Sequence, residues 1–116
     1  MDEIEIWHNS RCSKSRAALN YLKEKNCNFK IKEYLKENPN KEELVRILNL
    51  LQKRPSEIIR KKESLFKELN LKDASEDELL EAMVDYPKLI ERPIVIYKDK
   101  AVIARPLELI NEILPC

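Results

Sequence analysis

No glycine occurs anywhere in these 116 residues. Every tight turn and every left-handed backbone position must therefore be built by residues that carry a Cβ. Asn and Asp tolerate that conformation best. A glycine-rich loop cradling phosphates is excluded outright. The turns should fall at Asn26-Cys27-Asn28, at Asn38-Pro39-Asn40 and at Lys98-Asp99-Lys100, and these divide the chain into readable segments.

Ile4 to His8 reads as a strand, with Ile4 and Ile6 on one face and Trp7 on the other. Ser13 to about Lys25 reads as a helix. Phe29 to Tyr34 alternates as a second strand, with Phe29 and Ile31 inward. Strand, helix and strand in that order imply a right-handed βαβ unit with parallel strands. Asn40 can cap a helix over Lys41–Leu51, whose Leu44, Ile47, Leu48 and Leu51 share a face. A short helix over Pro55–Arg60, a helical stretch at Ser64–Leu69 and a capping box opening at Ser75 make the middle mostly helical. Ile94–Tyr97 and Ala101–Ala104 form a hairpin, and a last helix starts at Pro106. This order predicts one α/β domain over 1–116, with a mixed four-stranded sheet flanked by helices and a helical insertion at about 40–88.

Formal net charge is +1, so nothing global points to nucleic acid or an anionic membrane. No apolar run reaches the roughly 20 residues that a membrane span needs. The start, Met1-Asp2-Glu3-Ile4, lacks the basic and apolar regions of a signal peptide. A cytoplasmic protein with reduced thiols is the expectation. His8, Cys12, Cys27 and Cys116 do not match a zinc spacing, and no metal or bound cofactor is expected.

The chemistry gathers in His8-Asn9-Ser10-Arg11-Cys12-Ser13-Lys14-Ser15-Arg16. Cys12 stands where the first strand gives way to a helix, so the helix N-terminus favours negative charge on its sulfur. Arg11, Lys14 and Arg16 add cations, and these conditions lower a thiol pKa. Arg16 either supports the thiolate or is simply exposed. Arg92-Pro93 precedes the hairpin and Arg105-Pro106 follows it. A tight turn at Asp99-Lys100 sets residue 94 roughly opposite 105, which brings both arginines to one end. Paired arginines bind tetrahedral oxyanions.

Spacing rules out two thiol chemistries. A tyrosine-phosphatase loop needs Arg six positions after its cysteine, where Ala18 stands, and a dithiol motif needs Cys where Ser15 stands. Cys27 lies a helix length away, about 20 Å, too far to resolve a Cys12 intermediate. Cys116 is unconstrained by sequence, and the favoured chemistry uses one protein thiol and borrows its second thiol from elsewhere.

Four motifs in order now resemble one family: the Cys12 stretch, Ile58-Ile59-Arg60-Lys61-Lys62-Glu63, Glu91-Arg92-Pro93-Ile94-Val95 and Ala104-Arg105-Pro106. The chain is similar to glutaredoxin-linked arsenate reductases of thioredoxin-like fold. The resemblance implies that Cys12 attacks arsenate and that Arg60, Arg92 and Arg105 hold the oxyanion. It further implies that His8 keeps Cys12 ionised, that Ser15 hydrogen-bonds the sulfur, and that a cis peptide precedes Pro93. Glutathione and then glutaredoxin would supply the external thiols. Ser10 replaces a common proline of the cysteine loop, which could loosen it. Ala104 and the Asp99-Lys100 turn replace common glycines. Two other readings compete: a redox-responsive regulator contacting RNA polymerase, which would usually carry C-x-x-C, and a monothiol glutaredoxin-like enzyme, which would not need the arginines.

Overall fold

The computed structural model describes residues 3–116; the acidic start read at Met1 and Asp2 lies outside the described residues. The chain divides into two compact units, Met1–Glu37 with Arg92–Cys116, and Asn38–Glu91.

The first unit contains the sheet. Strands β1 (Ile4–Trp7), β2 (Phe29–Lys32), β3 (Ile94–Tyr97) and β4 (Lys100–Ile103) stand in the order β2-β1-β3-β4. β1 is parallel to β2 and antiparallel to β3, which in turn is antiparallel to β4. The expected mixed four-stranded sheet is thus the observed one. Helix α1 (Ser13–Glu24) joins β1 to β2, as the βαβ reading required. Its Ala18 and Leu22 are fully buried against Ile4, Ile6 and Val95, in a core that also takes in Ile110 and Ile113. Burying side chains of this size contributes about 1.5–3 kcal/mol each. Trp7 faces the opposite way and stacks on Tyr34, with ring centroids 6.1 Å apart.

The first unit departs from the sequence reading at the end of β2, at Ile31 and after β4. β2 ends at Lys32, and Tyr34 opens a one-turn helix α2 (Tyr34–Glu37). Ile31 is not inward but 42% exposed, because β2 is an edge strand and the core covers only the Phe29 end of that face. After β4 the chain forms a 3-10 helix over Leu107–Glu112 rather than a helix from Pro106. That segment is held on α1 by a 2.6 Å hydrogen bond from Tyr21 to Asn111.

Reduced thiols throughout were also expected, and this is corrected. Cys27 and Cys116, 89 positions apart, are joined in a disulfide with their Cα atoms 5.8 Å apart. It ties the last residues to the turn after α1. Cys12 remains the free cysteine.

The second unit is helical, as read. Helix α3 (Lys41–Leu51) opens on a capping box in which Asn40 accepts from the Glu43 N–H at 2.8 Å and Glu43 accepts in return. Helix α4 (Pro55–Ile58) is shorter than expected: Ile59 leaves it to bridge Ile90. After α5 (Ser64–Glu68), helix α6 (Glu76–Asp85) begins on a second capping box at Ser75 and packs on α3 and α4. Its first turn holds Glu76, Asp77 and Glu78, which suits the positive end of a helix dipole. No helix among the described residues is long and apolar enough to cross a membrane.

The missing glycines have the expected substitutes. Asn26, Asn38 and Asn70 hold positive φ, joined by Gln52 at the end of α3 and Lys98 in the hairpin. Asn side chains bond locally to the backbone and so tolerate this region. Gln52 and Lys98 lack that local bond; a turn was expected at Lys98 but none at Gln52.

Candidate active site

The site forms where three chain segments reach one end of the sheet. β1 runs out through Trp7 into the cysteine loop. Because Trp7 pairs with Ile94, the antiparallel neighbour begins at that same end with Arg92-Pro93. The hairpin register pairs Ile94 with Ile103, and the Ala104 N–H donates to the Pro93 carbonyl at 3.0 Å. Arg92 therefore lies directly opposite Arg105. This is two residues away from the predicted register, because the turn sits at Lys98-Asp99, inside the Tyr97–Lys100 pair. The conclusion that both arginines share one end holds more tightly than the sequence required. The Arg92–Pro93 bond is cis, as the resemblance implied, and so is Arg105–Pro106.

The cysteine loop is shaped by its own side chains. The Asn9 side chain accepts from the Arg11 N–H at 3.0 Å, and the Asn9 carbonyl accepts from the Cys12 N–H at 3.0 Å. Arg16, one turn into α1, reaches back and donates to the Ser10 carbonyl at 2.9 Å. Its guanidinium thus braces the loop at the position where the resemblance leads one to expect proline. The sequence left Arg16 undecided; only the loop geometry shows this contact.

Cys12 is the residue before α1, and it is 9% exposed. The first turn of α1 contains no acidic residue, so no carboxylate competes for the helix N-terminus. Burial pushes the thiol pKa up. The N–H groups of Ser15 and Lys14 and the Arg92 guanidinium hydrogen-bond the sulfur and act together in the other direction. The balance leaves the thiol below its ordinary range.

The remaining predicted residues fall out as follows. Ser15 does touch the sulfur, through its backbone; its hydroxyl is fully buried with no hydrogen-bond partner among the described residues. His8 is buried, and burial holds its pKa down against the opposing pull of Glu33, so the ring is neutral at neutral pH. A backbone group of Ser15 also hydrogen-bonds the His8 ring, so Ser15 touches both His8 and Cys12. Arg60 belongs to the second unit and is not on a helix face as its neighbours suggested. Its N–H donates to the Leu89 carbonyl at 2.7 Å, and its guanidinium bonds the Lys88 carbonyl at 3.0 Å and Glu63 at 3.3 Å.

A thiol whose ionised form is favoured by two helix N–H groups and an arginine, with a second arginine directly across the hairpin, can attack an electrophilic oxyanion. Comparison with known proteins agrees. A family model described as "ArsC family" matches residues 7–113. An arsenate reductase of Neisseria meningitidis (serogroup A, strain Z2491) is 44% identical, covering 98% of this chain and 100% of its own. A protein of Escherichia coli K12 described as uncharacterised, YfgD, is 48% identical over 96% of both chains. An arsenate reductase structure from Vibrio cholerae superposes with a TM-score of 0.93, at 42% identity, covering 97% of this chain and 98% of that one.

Proposed function

The chain belongs to the ArsC family, and from that premise we propose that it reduces arsenate to arsenite through a covalent bond to Cys12. The observation that carries this reading is the Cys12 sulfur itself, bonded by the Ser15 and Lys14 N–H groups and by Arg92. Those donors favour the thiolate form, and Arg92 with Arg105 opposite it gives an oxyanion a reason to come to it.

The steps balance with thiols alone. The Cys12 thiolate displaces an arsenate oxygen, which leaves as water, and forms a sulfur–arsenic bond. Arg92 and Arg105 hold the remaining oxygens, and Arg60 is the third arginine of this reading. An external thiolate then attacks the Cys12 sulfur. The sulfur–arsenic bond breaks with its electron pair going to arsenic, which leaves as arsenite after its oxygens take up protons. Two sulfurs have been oxidised to a mixed disulfide and arsenic reduced by two electrons. A second external thiolate attacks the outer sulfur and releases the Cys12 thiolate.

The chain does not supply the second thiol. Cys27 is bonded to Cys116, and it follows the far end of α1, a helix of 12 residues, or about 18 Å. Glutathione is the proposed first thiol and glutaredoxin the protein that removes it. His8, neutral and linked to Cys12 through Ser15, is a positioning residue in this reading.

The test is arsenate-dependent NADPH oxidation coupled through glutathione, glutaredoxin and glutathione reductase. Wild-type protein should turn over, and Cys12→Ser should fall to background. Equal rates for the two would refute the reading. Arg60→Ala should raise the arsenate KM; an unchanged KM would remove Arg60 from the site.

A further inference from the structure

Between α1 and the segment after β4 lies a cleft of about 450 Å³, lined among others by Lys14, Ala17, Arg105, Pro106, Leu107 and Glu108. Each of its walls leads back to a hydrogen-bond partner of the Cys12 sulfur. Lys14 is the residue whose N–H bonds the sulfur, and Arg105 lies opposite Arg92, which bonds the same sulfur. The volume is that of a small-molecule site. Its chemistry is mixed in a particular way: two cations, one carboxylate and an apolar floor of Ala17, Pro106 and Leu107.

That pattern selects among thiols. A neutral thiol would gain nothing from the charges. A small peptide thiol has a carboxylate for Lys14, an ammonium for Glu108 and a short apolar body for the floor, while Arg105 stays with the oxyanion. We propose that this cleft seats the peptide thiol that regenerates Cys12, with Lys14 and Glu108 reading its two kinds of charge. The inference rests on the reading that Cys12 takes its second thiol from outside, and it adds where that thiol binds and what it must look like. Lys14 and Glu108 are binding residues here; neither is asked to move a proton.

A test that does not need arsenate separates the two ideas. The Cys12 thiolate attacks a disulfide, forms a mixed disulfide with one half and releases the other half as thiolate. The rate of Cys12 modification is measured by mass spectrometry with glutathione disulfide and with the uncharged 2-hydroxyethyl disulfide. The ratio of the two rates cancels changes in the nucleophilicity of Cys12. Lys14→Gln and Glu108→Gln should each lower that ratio about fivefold, the size of one partly exposed charged hydrogen bond. N-acetylation of the glutathione disulfide should cost the wild type about as much and Glu108→Gln little. Wild-type ratios in both variants would overturn the seat. A charge-dependent ratio without arsenate turnover would keep the seat and sink the arsenate reading.

Discussion

Arg92→Ala should raise the pKa of Cys12 by about one unit or more. Arg92 is the side chain that hydrogen-bonds the sulfur, while the other donors, the Ser15 and Lys14 N–H groups, survive the substitution. A hydrogen bond to a charged group contributes about 1.5–3 kcal/mol, and one pKa unit corresponds to about 1.36 kcal/mol. The full range would be about one to two units, and the lower end applies where water enters the space that Arg92 vacates. The sign follows from which form is favoured: Arg92 stabilises the thiolate, so its loss leaves the burial penalty less opposed and the thiol holds its proton to higher pH. The assay is the pH profile of iodoacetamide labelling at Cys12, the free cysteine of the structure. Wild type should show a midpoint below the free-cysteine value of about 8.5, and Arg92→Ala should move it upward. Ser15→Ala is the control for the backbone assignment, since it keeps the N–H and removes a buried hydroxyl that bonds nothing among the described residues. Its midpoint should stay where it is. An unmoved midpoint in Arg92→Ala, or a large rise in Ser15→Ala, would refute the assignment of donors.

Three further outcomes are expected. Arg16→Ala should lower arsenate kcat/KM about fivefold by releasing the Ser10 carbonyl, the effect of losing one hydrogen bond of about 1 kcal/mol; an unchanged value would mean that the loop holds without it. Native protein should titrate with one thiol per chain, and Cys27→Ser should lower unfolding free energy by up to about 4–5 kcal/mol, the loop-closure value for 89 positions. Three titrated thiols, or an unchanged denaturant midpoint in Cys27→Ser, would refute this. His8 has a folded pKa below its unfolded one, so the unfolded chain binds more protons and stability falls as pH drops through the unfolded value of about 6.5. The urea midpoint of His8→Gln should therefore fall less than that of wild type between pH 7 and 5.5, and parallel losses would sink the point.

Much of the fold was legible because local signals and burial agreed. The Asn40 and Ser75 capping boxes, the alternation of Ile4, Ile6 and Trp7, and the β-branched hairpin strands all appear where their patterns put them. The errors fall where a residue's fate depends on its neighbours across the fold. Ile31 follows the strand pattern but sits on an edge strand, which periodicity cannot reveal. Arg60 follows a helical turn, yet its backbone is drawn to Leu89 by a bridge formed about 30 positions away. The Cys27–Cys116 bond joins two residues that nothing in the spacing connects.

The site has the same division. Helix-start position and basic neighbours already marked Cys12 as the candidate nucleophile, and two Arg-Pro pairs already marked the hairpin end. What joined them was strand order. With β3 beside β1 and antiparallel to it, Arg92 begins where β1 delivers the cysteine loop. Had the hairpin paired with β2 instead, the same sequence motifs would have been separated by a strand, at about 4.8 Å per strand. The absence of glycine matters here too. Ser10 and Ala104 stand at the site where the resemblance leads one to expect proline and glycine, and the structure meets the first with a side chain, Arg16 on the Ser10 carbonyl. The second is met by pairing: the Ala104 N–H is held by the Pro93 carbonyl, which fixes Arg105 opposite Arg92. Hydrogen bonds thus fix the backbone at two points, one in the cysteine loop and one beside Arg105. Restoring proline at position 10 should therefore make Arg16 partly redundant. In Ser10→Pro, the loss caused by Arg16→Ala should shrink from its roughly fivefold value, and a loss of undiminished size would show that Arg16 serves something other than the loop.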